Sequence, residues 1–411
     1  MIYTKEMIKA EYRKNEKIDT LLTIRSSTFK NSFGEFFTPL VLIDELLKEI
    51  PETVWTDPQT RWFDPCAGRG NFGVVIFYRL MDTLASKIPE EGKRANHILR
   101  NMLYMNELNP TNIVHLKRLF GKKANIVRGD FLKMDATLLD SKYDVIVQNP
   151  PYQIPKQKTY SGTRGSNYSL WDKFVVHSFS FLKEKGGYIG CITPSNWRRT
   201  EHRLYETIAP HLKFLSIYNK KAGLELFGAQ TRFDVYLLHI GNESRQKKLA
   251  TIVDEERNVH HIDPMQWRFL PNSHYDLIQK HFSFNTQRDI LYDTNEYNSK
   301  SLSVRKTKRN KFPVVHTMTK KGLGIRYSAK KRGHFNIPKV ILNVNEKLYP
   351  YNDWKGEYGM SQLSFGIPIK TKKEGDGWVE TLNSKEFQDI VKSTKWGSFQ
   401  TDYKMFRYVV V

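Results

Sequence analysis

Residues 143–152 read Tyr-Asp-Val-Ile-Val-Gln-Asn-Pro-Pro-Tyr. A β-type run from Tyr143 to Gln148 breaks off at Asn149, and two prolines follow. Proline has no N–H and cannot continue a ladder. The residue before it is held extended, so the strand ends here and the backbone beyond it is stiff. The prolines cannot donate, which leaves the carbonyls of this turn able to accept. On its own the segment is a strand and a rigid turn; its neighbours make it one of a series.

Reading outward, the same kind of short apolar run recurs as TRWFDP (60–65), MLYMNE (102–107), NIVRGD (125–130), GGYIGCITP (186–194), FLSIYN (214–219) and FDVYLLHI (233–240). Helical stretches such as FGVVIFYRLM (72–81) lie between them. This alternation, from Phe36 to about Ile240, predicts an α/β fold with a mostly parallel, doubly wound sheet and helices on both faces. FDVYLLHI comes late, after a second short strand, and is open to an antiparallel place. Residues 1–30 read as a charged helical arm with loosely periodic apolar positions. The rhythm is lost near Gly241–Gln246. The expected division is therefore an arm over 1–30, an α/β domain over 31–245, and a smaller α+β domain over 246–411.

The chain has 411 residues, 39% of them hydrophobic, and a formal net charge of +22. That apolar share excludes global disorder, and the charge calls for an acidic partner, most simply nucleic acid. From Ser301 to Val340 there is no Asp or Glu but there are twelve Lys or Arg. A solvated charge run usually carries both signs; a one-sided run suits a phosphate backbone. The candidates for that contact are Arg305, Lys306, Lys308, Arg309, Lys320, Lys321, Arg326, Lys330, Lys331 and Arg332. The two cysteines, Cys66 and Cys191, form neither a metal spacing nor a disulfide framework and are expected to be structural. The N-terminus has no apolar signal core, and runs such as VVIFY and VYLLHI are too short to span a bilayer. A soluble, cytoplasmic protein without a membrane partner or a metal is expected.

Three further segments carry chemistry. Asp64-Pro65-Cys66-Ala67-Gly68-Arg69-Gly70-Asn71-Phe72 follows a strand and opens a helix. Its glycines let backbone pass close to a ligand, although a plain strand-to-helix turn has the same look. Glu107 ends the second strand, where an acid can bridge two ribose hydroxyls or simply close the strand. Arg128-Gly129-Asp130-Phe131 ends the third; Asp130 can accept from an amino group or cap a helix equally well. At Asn149-Pro150-Pro151-Tyr152, the Asn149 side-chain oxygen and the Pro150 carbonyl can face one amino group. An amine on an aromatic ring has its lone pair spread into that ring. Two acceptors holding its hydrogens pull the nitrogen toward tetrahedral geometry and free the pair. Tyr152 offers a π face for stacking.

Asn149–Tyr152 together with Asp64–Phe72 resembles the amino-methyltransferase signature. Gly34-Glu35-Phe36-Phe37-Thr38-Pro39 before LVLIDELLKEI is similar to the cofactor motif of the gamma-class N6-adenine-specific DNA methyltransferases of restriction-modification systems. The order of cofactor motif, catalytic motif and basic C-terminal domain is also theirs. The resemblance covers roughly 31–245. Beyond it, Lys339-Val340-Ile341-Leu342 and the later Gly-rich stretch more loosely resemble a target-recognition domain. It implies a Rossmann-like methyltransferase domain using S-adenosylmethionine. Thr38, Asp64, Ala67, Gly68 and Gly70 would surround the methionine part of the cofactor. Glu107 would hold the ribose, Asp130 the adenine amino group, and Phe131 would lie against that ring. Asn149, Pro150, Pro151 and Tyr152 would hold a target adenine flipped from duplex DNA. Phe227 would cover its other face, with Phe233 as the alternative. Residues Gln153–Asn167 read as a lid over that base or as a surface loop. A monomer working beside a separate cognate restriction endonuclease is the implied setting. The rivals are an RNA adenine or guanine N-methyltransferase, a protein glutamine N-methyltransferase, and a DNA-binding module without catalysis.

Overall fold

The computed structural model describes residues 38–139, 141–152, 169–241, 249–292, 301–331, 333–345, 347–397 and 400–411. The expected arm over 1–30, the segment Gly34–Phe37, the loop Gln153–Asn167 and Arg332 lie outside the described residues.

Pro39 and Pro51 stand immediately before α1 (Leu40–Leu47) and α2 (Glu52–Thr56). Then come β1 (Trp62–Asp64), α3 (Asn71–Thr83), α4 (Glu91–His97) and β2 (Leu103–Glu107). Asn109 caps α5 (Pro110–Phe120) by accepting from Thr111 N, and Pro110 fills the first turn, where an amide would lack a partner. There follow β3 (Asn125–Arg128), β4 (Val145–Gln148), α6 (Trp171–Ser178), β5 (Gly186–Pro194), α7 (Arg203–Ile208), β6 (Leu212–Tyr218), α8 (Lys220–Phe227) and β7 (Phe233–Gly241). All seven runs read as strands are strands.

They form a sheet in the order β3-β2-β1-β4-β5-β7-β6, extended by β8 (Ala250–Val253) and β9 (Val259–Ile262). β3, β2, β1, β4 and β5 run parallel to one another; β7 is antiparallel to both β5 and β6. The central strands are uninterrupted apolar runs because helices cover both faces. Val145, Ile146 and Val147 are fully buried, as are Leu42, Ile43 and Leu46 of α1 and Ile76, Phe77 and Leu80 of α3.

The described chain forms two compact units. The first runs to Ser195 and resumes over Glu206–Asp263; the second takes Asn196–Tyr205 and Pro264–Val411. The boundary expected at 245/246 is thus displaced to Asp263. β8 pairs parallel with β6 and β9 antiparallel with β8, so both strands continue the first sheet. The segment Asn196–Tyr205 is held in the second unit by Arg198, which is fully buried. Its guanidinium donates to the carbonyls of Leu270 and Pro271, both at 2.9 Å, and to Asn272 Oδ1 at 2.8 Å. A buried guanidinium needs such acceptors for its fixed fork of donors.

The second unit is α+β. It contains α9 (Tyr275–His281), the hairpin β10 (Phe312–Thr319) and β11 (Gly322–Ser328), then β12 (Lys339–Asn343), β13 (Tyr351–Asp353), β14 (Gly359–Met360) and β15 (Ser364–Pro368). Two helices follow, α10 (Lys372–Asn383) and α11 (Lys385–Ser393). The strands make two three-stranded sheets, β11-β10-β14 and β13-β12-β15. Within the acid-free stretch, Arg305, Lys306, Lys308, Arg309, Lys320, Lys321, Lys330 and Lys331 are exposed, and Arg326 is half-buried. Lys339 departs from the run: it is fully buried and its Nζ donates to Asp353 Oδ2 at 2.6 Å. Among the described residues no helix is long and apolar enough to cross a membrane.

Candidate active site

The strand order of the first unit reverses between β1 and β4. In open α/β sheets a ligand crevice lies outside the carboxyl ends of the strands at such a point. β5 and β6 point the same way as β4, and β7 the opposite way. The ends of β1, β4, β5 and β6 and the start of β7 therefore share one edge. That edge carries Asp64, Asn149–Tyr152, Ser195 and Asp234, and α8 leads from it to Phe227.

The turn after β1 is built around two left-handed glycines, Gly68 at φ +54° and Gly70 at φ +92°. A Cβ at Gly70 would lie 2.8 Å from both Leu116 and Phe120, so only glycine lets α3 start against α5. A Cβ at Gly68 would meet nothing within 4 Å, which marks open space over that backbone. The amides of Cys66, Ala67, Gly68 and Gly70 are already committed. Cys66 N donates to Asp64 Oδ1 at 3.1 Å, Ala67 N to the Asn106 carbonyl at 2.9 Å, and Gly70 N to the Ala67 carbonyl at 2.8 Å. At these four positions the turn offers a ligand close approach rather than donors.

Glu107 ties the turn to β2. Its carboxylate accepts from Gly68 N and from Asn109 N, both at 2.7 Å. A carboxylate has about four lone-pair sites, so these bonds are compatible with further hydroxyl donors. Asn106, 1% exposed, donates from one amide nitrogen to the carbonyls of Pro65 (3.0 Å) and Gly129 (3.1 Å), so it staples the turns after β1 and β3 together. Burial pushes the Asp64 carboxyl up to about 8, and Glu107 adds to this; the Cys66 amide acts in the opposite sense. Burial, with Asp64 and Glu107 beside it, also keeps Cys66 a thiol.

Asp130 caps the turn Phe131–Lys133 by accepting from Leu132 N at 3.2 Å, with Lys133 Nζ 3.7 Å away. Its side chain stays 36% exposed, so it can cap and still accept. Phe131 is more enclosed than the expected contact with an adenine ring requires. It is 1% exposed, with ring centres of His177, Phe181, Phe174 and Phe63 between 4.8 and 5.9 Å away. Its ring packs among these aromatics. Leu108, directly after Glu107, is 53% exposed.

At the end of β4, Asn149 Nδ2 donates to Thr38 Oγ1 at 3.0 Å. Thr38 is itself held through its carbonyl, which accepts from Asn71 Nδ2 at 2.8 Å. The Asn149 backbone amide faces the Cys66 sulfur. With Nδ2 occupied, Asn149 Oδ1 is buried and has no hydrogen-bond partner among the described residues. No described backbone amide donates to the Pro150 carbonyl either. Pro150 is buried, while Pro151 and Tyr152 are half-buried. Burial, with Asp234 adding, pushes the Tyr152 hydroxyl above the usual phenol range. Asp234 is fully buried and accepts from Ser195 Oγ at 2.8 Å.

The second expected aromatic is less open than the expectation requires. Phe227 is 7% exposed and sits edge-on to Phe233, 4.9 Å between centres. Phe233 is fully buried and stacks on Tyr218 at 4.7 Å and 4°. The Thr38–Asn149 hydrogen bond, the Asn106 staple and the Ser195–Asp234 pair were missed. Thr38 and Asn149 lie 111 positions apart and meet only through the sheet order. Leu108 had a local signal, an apolar residue directly after a strand-end acid.

Comparison with known proteins agrees with the resemblance seen in these motifs. Residues 78–227 match the model of the Eco57I restriction-modification methylase family. A protein of Mycoplasma pneumoniae (strain ATCC 29342 / M129 / Subtype 1) described as an uncharacterized adenine-specific methylase is 33% identical, over 51% of this chain and 64% of its own. The Type II methyltransferase M.VspI of Vibrio sp. (strain 343) is 26% identical, over 40% of this chain and 38% of its own. The chain thus spans less than two thirds of the length of these curated relatives. Among solved structures, the Type IIL restriction-modification enzyme MmeI, in complex with DNA, superposes with a TM-score of 0.54 at 10% identity, over 93% of this chain and 69% of that one. The ATP-dependent Type ISP restriction-modification enzyme LlaBIII, bound to DNA, gives 0.53 at 12%, over 93% and 39%. The fold is the α/β methyltransferase fold.

Proposed function

We propose that this chain, whose residues 78–227 carry the Eco57I restriction-modification methylase pattern, methylates the N6 amino group of an adenine turned out of duplex DNA. The methyl donor is S-adenosylmethionine, and the setting is a restriction-modification system. One observation supports this above the others. Asn149 Oδ1 is a buried acceptor with no partner among the described residues, at the switch point of the sheet. A buried polar atom left unpaired costs about 1–3 kcal/mol, and an incoming amino group removes that cost.

The residues at the mouth of β1 and β2 fit the donor. Gly68 leaves open space, Glu107 is placed for ribose hydroxyls, Asp130 keeps an exposed oxygen for an amino group, and Leu108 offers an apolar surface to a ring. Once bound, S-adenosylmethionine supplies a methyl group already activated on a sulfonium. The protein's work is then alignment and lone-pair activation. Asn149 Oδ1 and the Pro150 carbonyl hold the two hydrogens of the amine, and Thr38 and Cys66 fix Asn149 from its amide nitrogen and its backbone. Tyr152 stacks on the base; Ser195 and Asp234 stand behind its hydroxyl. Phe227 is the nearer of the two candidates for the opposite face, and it must swing from its contact with Phe233 to serve. Flipping costs a few kcal/mol, and stacking offsets about 1–3 kcal/mol per aromatic. The exposed Arg305, Lys306, Lys308, Arg309, Lys320, Lys321, Lys330 and Lys331 of the second unit contribute phosphate contacts, with the half-buried Arg326 beside them.

The test is Asn149→Ala, assayed with labelled S-adenosylmethionine and unmethylated duplex DNA. Transfer should fall on the order of 10²–10³-fold, as when one aligned polar group is removed from a site of this kind. Binding of S-adenosylhomocysteine should be retained. Full activity in the variant would contradict the reading. Label entering RNA or protein but no DNA would keep the fold and overturn the substrate.

A further inference from the structure

We propose that a cleft lying wholly within the second unit holds the sugar–phosphate backbone of one DNA strand. The proposal rests on the DNA reading above and deepens it. The cleft has a volume of about 940 Å³ and three walls: the tip of the β10–β11 hairpin, the segment Lys347–Tyr351, and the junction of α10 with α11. Each wall brings lysine: Lys320 from the hairpin, Lys347 from the segment, Lys385 and Lys392 from α11. One acid lines it, Asp389, and Lys392 already pairs with that carboxylate at 2.8 Å. Lys320, Lys347 and Lys385 are exposed; none makes a contact ion pair among the described residues, although Asp389 also feels the charge of Lys385.

Four lysines against one acid therefore leave the three walls of the groove with an excess of three positive charges. Such an arrangement repels itself until an anion arrives. Spread around the walls rather than converging on a point, they suit a row of phosphates better than a single one. Lysine is a strongly hydrated point charge that positions a backbone without reading bases. The ring of Tyr349 lies beneath the Lys347 ammonium, 5.8 Å from ring centre to Nζ, which keeps that side chain along the wall. Lys347, Lys385 and Lys392 stand outside the acid-free stretch, among Asp and Glu in sequence, so charge runs alone pass them by.

The experiment uses the full chain, a fluorescently labelled unmethylated duplex, and anisotropy titrations between about 50 and 200 mM salt. The triple variant Lys320→Gln, Lys347→Gln, Lys385→Gln loses three phosphate contacts. Its log–log salt slope should be shallower by about 2.7, that is about 0.9 per contact. Over that fourfold salt range the wild type should lose about 40-fold more affinity than the variant. The triple Lys→Arg variant should keep the wild-type slope. Binding of S-adenosylhomocysteine and the thermal midpoint report that the variants are folded. A slope that stays put in a folded Gln variant overturns the cleft alone. A wild type that binds no duplex at about 50 mM salt overturns the DNA reading beneath it.

Discussion

Asn149 cannot turn freely: Thr38 takes one end of its amide and the Cys66 sulfur faces its backbone N–H. Thr38→Val keeps the shape of residue 38 and removes the hydroxyl. One neutral hydrogen bond is worth about 1 kcal/mol, so kcat should fall by roughly fivefold to tenfold while S-adenosylhomocysteine affinity changes little. An affinity loss with unchanged kcat would instead put Thr38 on the cofactor. Asp64 makes a pH prediction. Folded, its carboxyl keeps its proton until about pH 8; unfolded, it ionises near 3.8. The folded state thus binds the extra proton across that window, and this group's contribution to stability falls as pH rises through it. Asp64→Asn removes the effect while Glu107 and Cys66, the groups facing it, remain. The midpoint of the variant should gain on the wild type from about pH 5 to pH 8, and parallel melting curves would contradict the burial argument. Asn149–Tyr152 was legible because its chemistry is local, a strand, two prolines and an acceptor. The closed rings of Phe131 and Phe233 were not, because which face of an aromatic is covered depends on helices distant in the chain.

Among the elements, α3 depends most narrowly on one residue. Gly70→Ala puts a Cβ 2.8 Å from Leu116 and Phe120 at a left-handed φ. The expected loss is about 2–4 kcal/mol in urea unfolding of the first unit. β12 offers a contrast inside the basic stretch. Asp353→Ala would strand the fully buried Lys339 and should destabilise the second unit by about 3–5 kcal/mol. Lys306→Ala, exposed in the same stretch, should change stability by less than about 0.5 kcal/mol. Equal effects would mean the two lysines had been wrongly sorted. The seven strands of the central sheet were readable because buried parallel strands are short apolar runs between helical stretches. β8 and β9 were not: they are four residues each and follow a polar segment that reads as a linker.

For the molecule as a whole, the charge of +22 pointed to an acidic partner and the order of motifs to a methylase with a basic domain behind it. Neither could say that Asn196–Tyr205 would leave the first unit to bury Arg198 in the second, because that depends on carbonyls more than seventy positions away. Nor could they separate the buried Lys339 from its exposed neighbours. The central claim is that both units serve one reaction, methyl transfer to adenine in duplex DNA. Nucleoside analysis of unmethylated duplex after incubation with the full chain and labelled S-adenosylmethionine tests it most directly. The account predicts label in N6-methyladenine and in no other nucleoside. Label in a cytosine, or DNA left unlabelled while RNA or protein takes the methyl group, would contradict it.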